Sequence, residues 1–239
     1  MKHIVQFSGG AASTYVGWLV VNEFGAENTI LLNHDTGAEH IDTKRFLQQT
    51  SDYIGVPITH VNSERDLWQL IEDKMCLPSY FMPFCTHILK IEPAEKFLQK
   101  INEPYILYNG LGLEEMNRVQ RSILRGAVLG RTVRSLLAER HISNDSVKRT
   151  IRDEWQICLP EPYLYLSHNN CIPCFKAGKG HFFKVWQNYP QAFIKVLQME
   201  ELVGHTVFKD ISMKELAARW AEQEINEELF DGRPCICAS

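Results

Sequence analysis

Long apolar runs are missing from this chain. Hydrophobic residues make up 45% of its 239 positions, but charged residues at 23% interrupt them throughout. A bilayer-spanning helix needs about 20 consecutive apolar residues, so no transmembrane segment is expected. Positive charge is not in excess either: 25 Lys and Arg stand against 29 Asp and Glu, a formal charge of -4. That balance argues against a general electrostatic binder of nucleic acid, although a local basic patch can hide inside the sum. The opening residues, MKHIVQFSGG, lack the basic-then-apolar pattern of a secretory leader, so a cytoplasmic protein is expected. In a reducing compartment the seven cysteines read as metal ligands or redox thiols more readily than as disulfides. The length suits one large α/β domain with a small appendage.

Residues 3–7 form a short strand-type apolar run. It breaks into Ser8-Gly9-Gly10-Ala11-Ala12-Ser13, and a helix is expected over 14–23. A strand that ends in small residues and opens a helix is an anion site: glycines let backbone N–H groups approach a phosphate, and the helix dipole adds positive potential. Ser8 and Ser13 add hydroxyls. A second strand over 29–33 ends in His34-Asp35-Thr36-Gly37-Ala38-Glu39-His40, a helix is expected over 41–54, and a third strand over 56–61. This alternation predicts a doubly wound parallel sheet. Ligands of such sheets bind outside the carboxyl ends of the strands, so the loops after the first two strands are expected to face one site.

Taken in order, these residues resemble the phosphoadenosine phosphosulfate (PAPS) reductase branch of the PP-loop, or adenine nucleotide alpha hydrolase, superfamily. The resembling features are the S-G-G-x-x-S loop, the D-T-G-x-E-H segment at 35–40, and the I-G-V-P-I phrase at 54–58. Further on come Cys85 through Lys90 to Pro93, and then Gly110, Glu114, Arg118 and Arg121. The resemblance implies an adenine nucleotide, PAPS or ATP, as ligand. Its phosphates would lie on Ser8, Gly9, Gly10 and Ser13, with Asp35 near the ribose, adenine or a metal. Lys90, Arg118 and Arg121 would neutralise phosphate or sulfate. The aspartate of the PP-loop pattern is replaced by Ala12, which weakens any expectation of ATP pyrophosphate cleavage. The Ser-Gly-Gly-Ala-Ala-Ser form is similar to a subgroup met in bacteriophages and prophages, which places the chain in a bacterial or phage-infected cytosol.

The stretch 126–165 is basic through Arg131, Arg134, Arg140, Lys148, Arg149 and Arg152, and reads as a solvated helical face before a phosphate or nucleic-acid contact surface. Cys76 and Cys158 sit among apolar neighbours and are expected to be packed. A smaller helical, cysteine-containing part is expected over 166–239, after a nucleotide-binding domain over 1–165. In it, Cys171 and Cys174 form a C-x-x-C turn, and Cys235 and Cys237 supply a second pair near the end of the sequence. Two pairs give four thiolates, the number for a tetrahedral zinc site or an iron–sulfur cluster. By resemblance to adenylylsulfate reductases, Cys85 joins Cys171 and Cys174 in a four-iron four-sulfur arrangement. By resemblance to assimilatory reductases, Cys235 or Cys237 is the thiol that attacks the sulfur of PAPS, with a thioredoxin-type reductant. The lysines at 176 and 179, beside His181, are candidate donors to sulfate or phosphate. Helices are expected over 182–196, broken at Pro190, and over 213–228.

Three functions stand open on this reading. One is an enzyme of sulfur or adenylyl-transfer chemistry on a nucleotide, in which Cys235, Cys237, Lys90 and Arg118 act. The second is a nucleotide-binding protein without turnover, stapled by zinc. The third is a nucleic-acid thiolation or modification factor.

Overall fold

In the computed structural model, residues 1–222 are described. Strand β1 (Lys2–Gln6) buries His3, Ile4 and Val5 completely enough to be central. The chain then turns through Gly9, whose φ of 80° favours glycine. Helix α1 (Ala11–Phe24) starts three residues before the expected 14, because Gly10 is extended at its N-cap and its carbonyl accepts from the Thr14 N–H at 3.1 Å. Ala11 and Ala12, good helix formers, therefore form the first turn of the helix, where the loop runs into it.

β2 (Thr29–Asn33) and α2 (Ile41–Ile54) have the expected bounds. Gly55 in the left-handed conformation ends α2. β3 (Ile58–His60) is shorter than the expected 56–61. The reason is local: Val56 is tied back to the helix end, its N–H on the Ser51 carbonyl at 3.3 Å and its carbonyl accepting from Ser51 Oγ at 2.7 Å. An Asp66/Gln69 capping box opens α3 (Leu67–Lys74). α4 (Phe84–Thr86) runs through a wider turn at His87–Ile91 into α5 (Glu92–Leu98). After β4 (Tyr105–Tyr108) come α6 (Met116–Val128), β5 (Thr132–Arg134), α7 (Leu136–Glu139) and α8 (Asn144–Arg149). The remaining helices are α9 (Lys179–Asn188), α10 (Pro190–Val203) and α11 (Met213–Ala221).

All five strands are parallel, in the order β3-β2-β1-β4-β5. The chain grows outward from β1 to β3, then returns to place β4 on the other side of β1. The order reverses between β1 and β4, which is where such sheets open a crevice. Alternation along the strands sorts side chains to two covered faces. Val5 and Leu31 pack with α1, α2 and α7, whereas Ile4, Leu32 and Leu107 pack with Ala94 and Leu98 of α5. A further core joins Trp68, Leu70 and Ile71 of α3 to Phe182, Val185, Phe193, Val196 and Trp220 of the last three helices.

One expectation fails here and one holds only in part. Cys158 is exposed and not packed, because its apolar neighbours Ile157 and Leu159 turn into the core while its own side chain faces out. The basic stretch is solvated only in part: Arg140, Arg149 and Arg152 are exposed, while Arg131 is covered. Arg131 reaches Glu95 at 2.6 Å, Arg134 pairs with Glu139, Arg140 with Glu23, and Arg152 with Asp153.

Candidate nucleotide site

The loop after β1 is held by its own hydroxyls. Ser13 Oγ accepts the Ser8 N–H at 3.2 Å, lies 3.1 Å from Ser8 Oγ and donates to the Gly10 carbonyl at 2.9 Å. Ser13, expected to hold phosphate, thus shapes the loop from inside, while Ser8 faces the cavities on either side of it. Across the switch point, Gly110 at the end of β4 presses on the start of α1. A Cβ there would lie 2.7 Å from the Ser13 nitrogen and 3.1 Å from the Ala12 carbonyl carbon.

A cleft of about 270 Å³ opens from this contact between α5 and α6. Its floor is apolar, with Leu32, Ala94, Leu98, Leu107 and Val133, and its mouth carries the loop residues Ser8, Gly10, Ala12 and Ser13. Five cations line it: Lys90, Arg118, Arg125, Arg131 and Lys148. Glu115 pairs with Arg118 and Glu95 with Arg131. An apolar slot ending in backbone donors and cations suits a flat base joined to phosphates.

A second cavity of about 250 Å³ lies on the β2 side and shares Ser8 and His34 with the cleft. His34 Nδ1 is 2.8 Å from the Val61 carbonyl, so that nitrogen carries the proton and Nε2 is the acceptor. Burial, reinforced by Lys90, holds His34 below the usual histidine range against the opposing pull of the Val61 carbonyl. Asp35 lines this cavity and not the cleft. Burial would raise it, but the Gly37 N–H at 2.8 Å, Glu39 and Lys44 together hold it low. Glu39 goes the other way: burial raises it, outweighing Lys90 and the two Thr36 hydrogen bonds at 2.8 and 2.9 Å.

The model of the phosphoadenosine phosphosulfate reductase domain matches residues 2–123, from β1 into α6. The chain belongs to the PAPS reductase domain family. That family binds an adenine nucleotide substrate, and both the loop after β1 and the cleft fall within the matched span except for the cleft's far wall. No curated protein matches the chain.

The far wall of this PAPS reductase-type cleft is supplied by Arg125, Gly126, Leu129, Arg131, Val133, Asn144, Lys148, Tyr163 and residues 167–170; of these the sequence marked Arg131 and Lys148, as members of a basic stretch. Asn169 is the tie: its Nδ2 donates to the Gly9 carbonyl at 2.8 Å, and its Oδ1 accepts from Thr43 at 3.1 Å. Arg121, expected at the nucleotide, is exposed and bonds the Asn117 carbonyl outside the cleft.

The thiols converge on a third, smaller cavity. Cys85, Cys171 and Cys174 line it with Lys90 and Lys176. Cys171 lies 3.3 Å from Thr36 Oγ1 and forms an isolated antiparallel bridge with Glu39. Lys176, expected as an anion donor, is buried with Nζ on Thr86 Oγ1 at 2.7 Å, and Lys179 pairs with Asp210 at 2.7 Å. Cys76 is half-buried. Among the described residues no three His, Cys, Asp or Glu are grouped to hold a metal ion. Cys235 and Cys237 lie outside the described residues. Three thiols on one cavity are short of a four-ligand set, so the described residues alone do not complete a zinc or cluster site. Among the described residues no helix is long and apolar enough to cross a membrane.

Proposed function

We propose that the cleft between α5 and α6 binds an adenine nucleotide for sulfur or phosphoanhydride chemistry, with PAPS as the substrate the family favours. The observation that carries this reading is the close contact of Gly110 with Ala12 and Ser13 at the start of α1, at the β1/β4 switch point, opening on an apolar slot flanked by five cations. The base lies over Leu107 and Val133, the phosphates on Ser8, Gly9 and Gly10, and Lys90, Arg118, Arg125 and Lys148 offset their charge. Loss of a loop carboxylate at Ala12 is less damaging to sulfonucleotide reduction than to ATP cleavage. Reduction transfers two electrons from a dithiol to the sulfuryl group, releasing sulfite and the nucleotide bisphosphate and leaving a disulfide. A thioredoxin-type protein is the proposed dithiol, and Cys235 or Cys237 the proposed attacking thiol. Titration with PAPS, adenosine 3′,5′-bisphosphate and ATP, followed by a sulfite assay with thioredoxin, tests it. Binding without any consumption would replace it by the reading that Ala11 and Ala12 favour, a nucleotide-binding protein without turnover.

The shared cavity of Cys85, Cys171 and Cys174 supports a thiolate metal site: zinc on Cys171, Cys174, Cys235 and Cys237, or a four-iron four-sulfur cluster on Cys85, Cys171, Cys174 and one of Cys235 and Cys237. Zinc, iron and acid-labile sulfide content of anaerobically purified protein tests this; substoichiometric metal overturns it. The nucleic-acid modification reading has less support, since four cations of the basic stretch are held by carboxylates.

A further inference from the structure

Tyr163 lies forty residues beyond the matched domain, yet its hydroxyl sits at the start of α1. The Ala11 N–H donates to it at 3.0 Å, and the backbone N–H of Asn169 faces the same oxygen. A phenol oxygen that accepts N–H bonds still carries one proton of its own. Among the described residues no acceptor receives that proton. The side chain forms part of the cleft wall beside Ser8, Gly10, Ala12 and Lys148, and the hydroxyl lies 3.5 Å from where a Gly10 Cβ would be. It therefore stands at the anion end of the cleft and not at the base end. We infer that Tyr163 is a phosphate-binding residue, donating its hydroxyl proton to a phosphate or sulfate oxygen of the nucleotide.

The inference rests on the nucleotide reading of the cleft and deepens it. Ala11 and Ala12 bring no polar side chain to the loop, and Tyr163 supplies one from outside. Burial pushes the phenol above its ordinary range, against the N–H contacts of Ala11 and Asn169, so it remains a donor at neutral pH. Lys148 Nζ, 5.1 Å from the ring centroid, adds positive potential on the same side. Hydrogen bonds to a charged acceptor are the stronger kind.

Two substitutions at this position separate donation from mere shaping of the loop. Tyr163→Phe removes the hydroxyl. Site-specific 3-fluorotyrosine makes the phenol a stronger donor and a weaker acceptor. Binding of adenosine 3′,5′-bisphosphate and of adenosine is measured by calorimetry for each. Donation predicts a loss of about 10-fold for the bisphosphate with phenylalanine, a gain with 3-fluorotyrosine, and little change for adenosine in either. Unchanged bisphosphate affinity in Tyr163→Phe overturns the inference. So does weaker binding with 3-fluorotyrosine, since the hydroxyl then matters only as the acceptor for Ala11. If the unsubstituted chain binds no adenine nucleotide, the reading of the cleft falls and takes this inference with it.

Discussion

Gly110 is the residue at which the site is most tightly specified. Its missing Cβ lets the β4 loop rest on the backbone of Ala12 and Ser13, and backbone cannot move aside as a flexible side chain does. Gly110→Ala is expected to lower stability by about 1–3 kcal/mol, the usual range for overpacking, read as a lower urea midpoint. Gly10→Ala serves as the comparison, because its nearest neighbour is the Tyr163 hydroxyl at an ordinary 3.5 Å, and its loss should be smaller. Equal losses would mean that the switch-point contact is not tight. His34 gives a pH signature. Its folded pKa is depressed, so below about 6.5 the unfolded state binds more protons than the folded one. Stability is then full above about pH 6.5 and is lost as pH falls through that value towards the folded pKa. Buried His3 shifts in the same direction, so His34→Gln should reduce the slope of unfolding midpoint against pH without abolishing it. An unchanged slope would show that His34 is not held neutral.

At the scale of elements, α6 presents one face to the cleft. Arg118, Ser122, Arg125 and Leu129 recur at three- and four-residue spacing and all line it, while Arg121 falls off that face. Arg125→Ala should weaken adenine-nucleotide binding about 10-fold, as expected for one charge-assisted contact, whereas Arg121→Ala should leave it within about twofold. Isothermal titration of both variants decides; equal effects would place the phosphates outside the cleft. Sequence alone favoured Arg121 over Arg125 because the resembling pattern ends near it. The face of a helix that meets a ligand depends on how the helix lies on the sheet, and here Gly126 leaves no room for a Cβ beside the Val133 side chain, so α6 lies close on β5.

For the whole molecule, α3 of the nucleotide-binding part and the C-terminal helices share a core. Trp68, Leu70 and Ile71 pack with Phe182, Phe193 and Trp220, and Asn169 spans from the loop to α2. The expected outcome is one cooperative unfolding transition. Far-ultraviolet circular dichroism should report it together with tryptophan fluorescence, to which Trp18 and Trp155 contribute from the sheet side and Trp186 and Trp220 from the other. Non-coincident curves would show two independent units. Asn169→Ala should lower stability by about 1–3 kcal/mol, the cost of leaving buried partners unsatisfied, read as a lower single midpoint.

The sequence by itself determined the alternation of strands and helices, the loop at Ser8-Gly9-Gly10 and the family, because these are local: hydrophobic periodicity, glycine's backbone freedom and motif order all lie within short stretches of chain. β2 and α2 could be read to the residue for that reason, and β3 could not, since Val56 was claimed by a helix cap that periodicity does not register. Only the tertiary structure decided which cations share a cavity, that Ser13 bonds within the loop as well as lining the cleft, and that Asp35 lies beside the cleft and not in it. It also brought Cys85 to Cys171 and Cys174, and Tyr163 and Asn169 to the first turn of α1. Those neighbours are separated by more than eighty positions along the chain, and nothing in local spacing encodes a contact that arises when two distant segments cover the same end of a sheet.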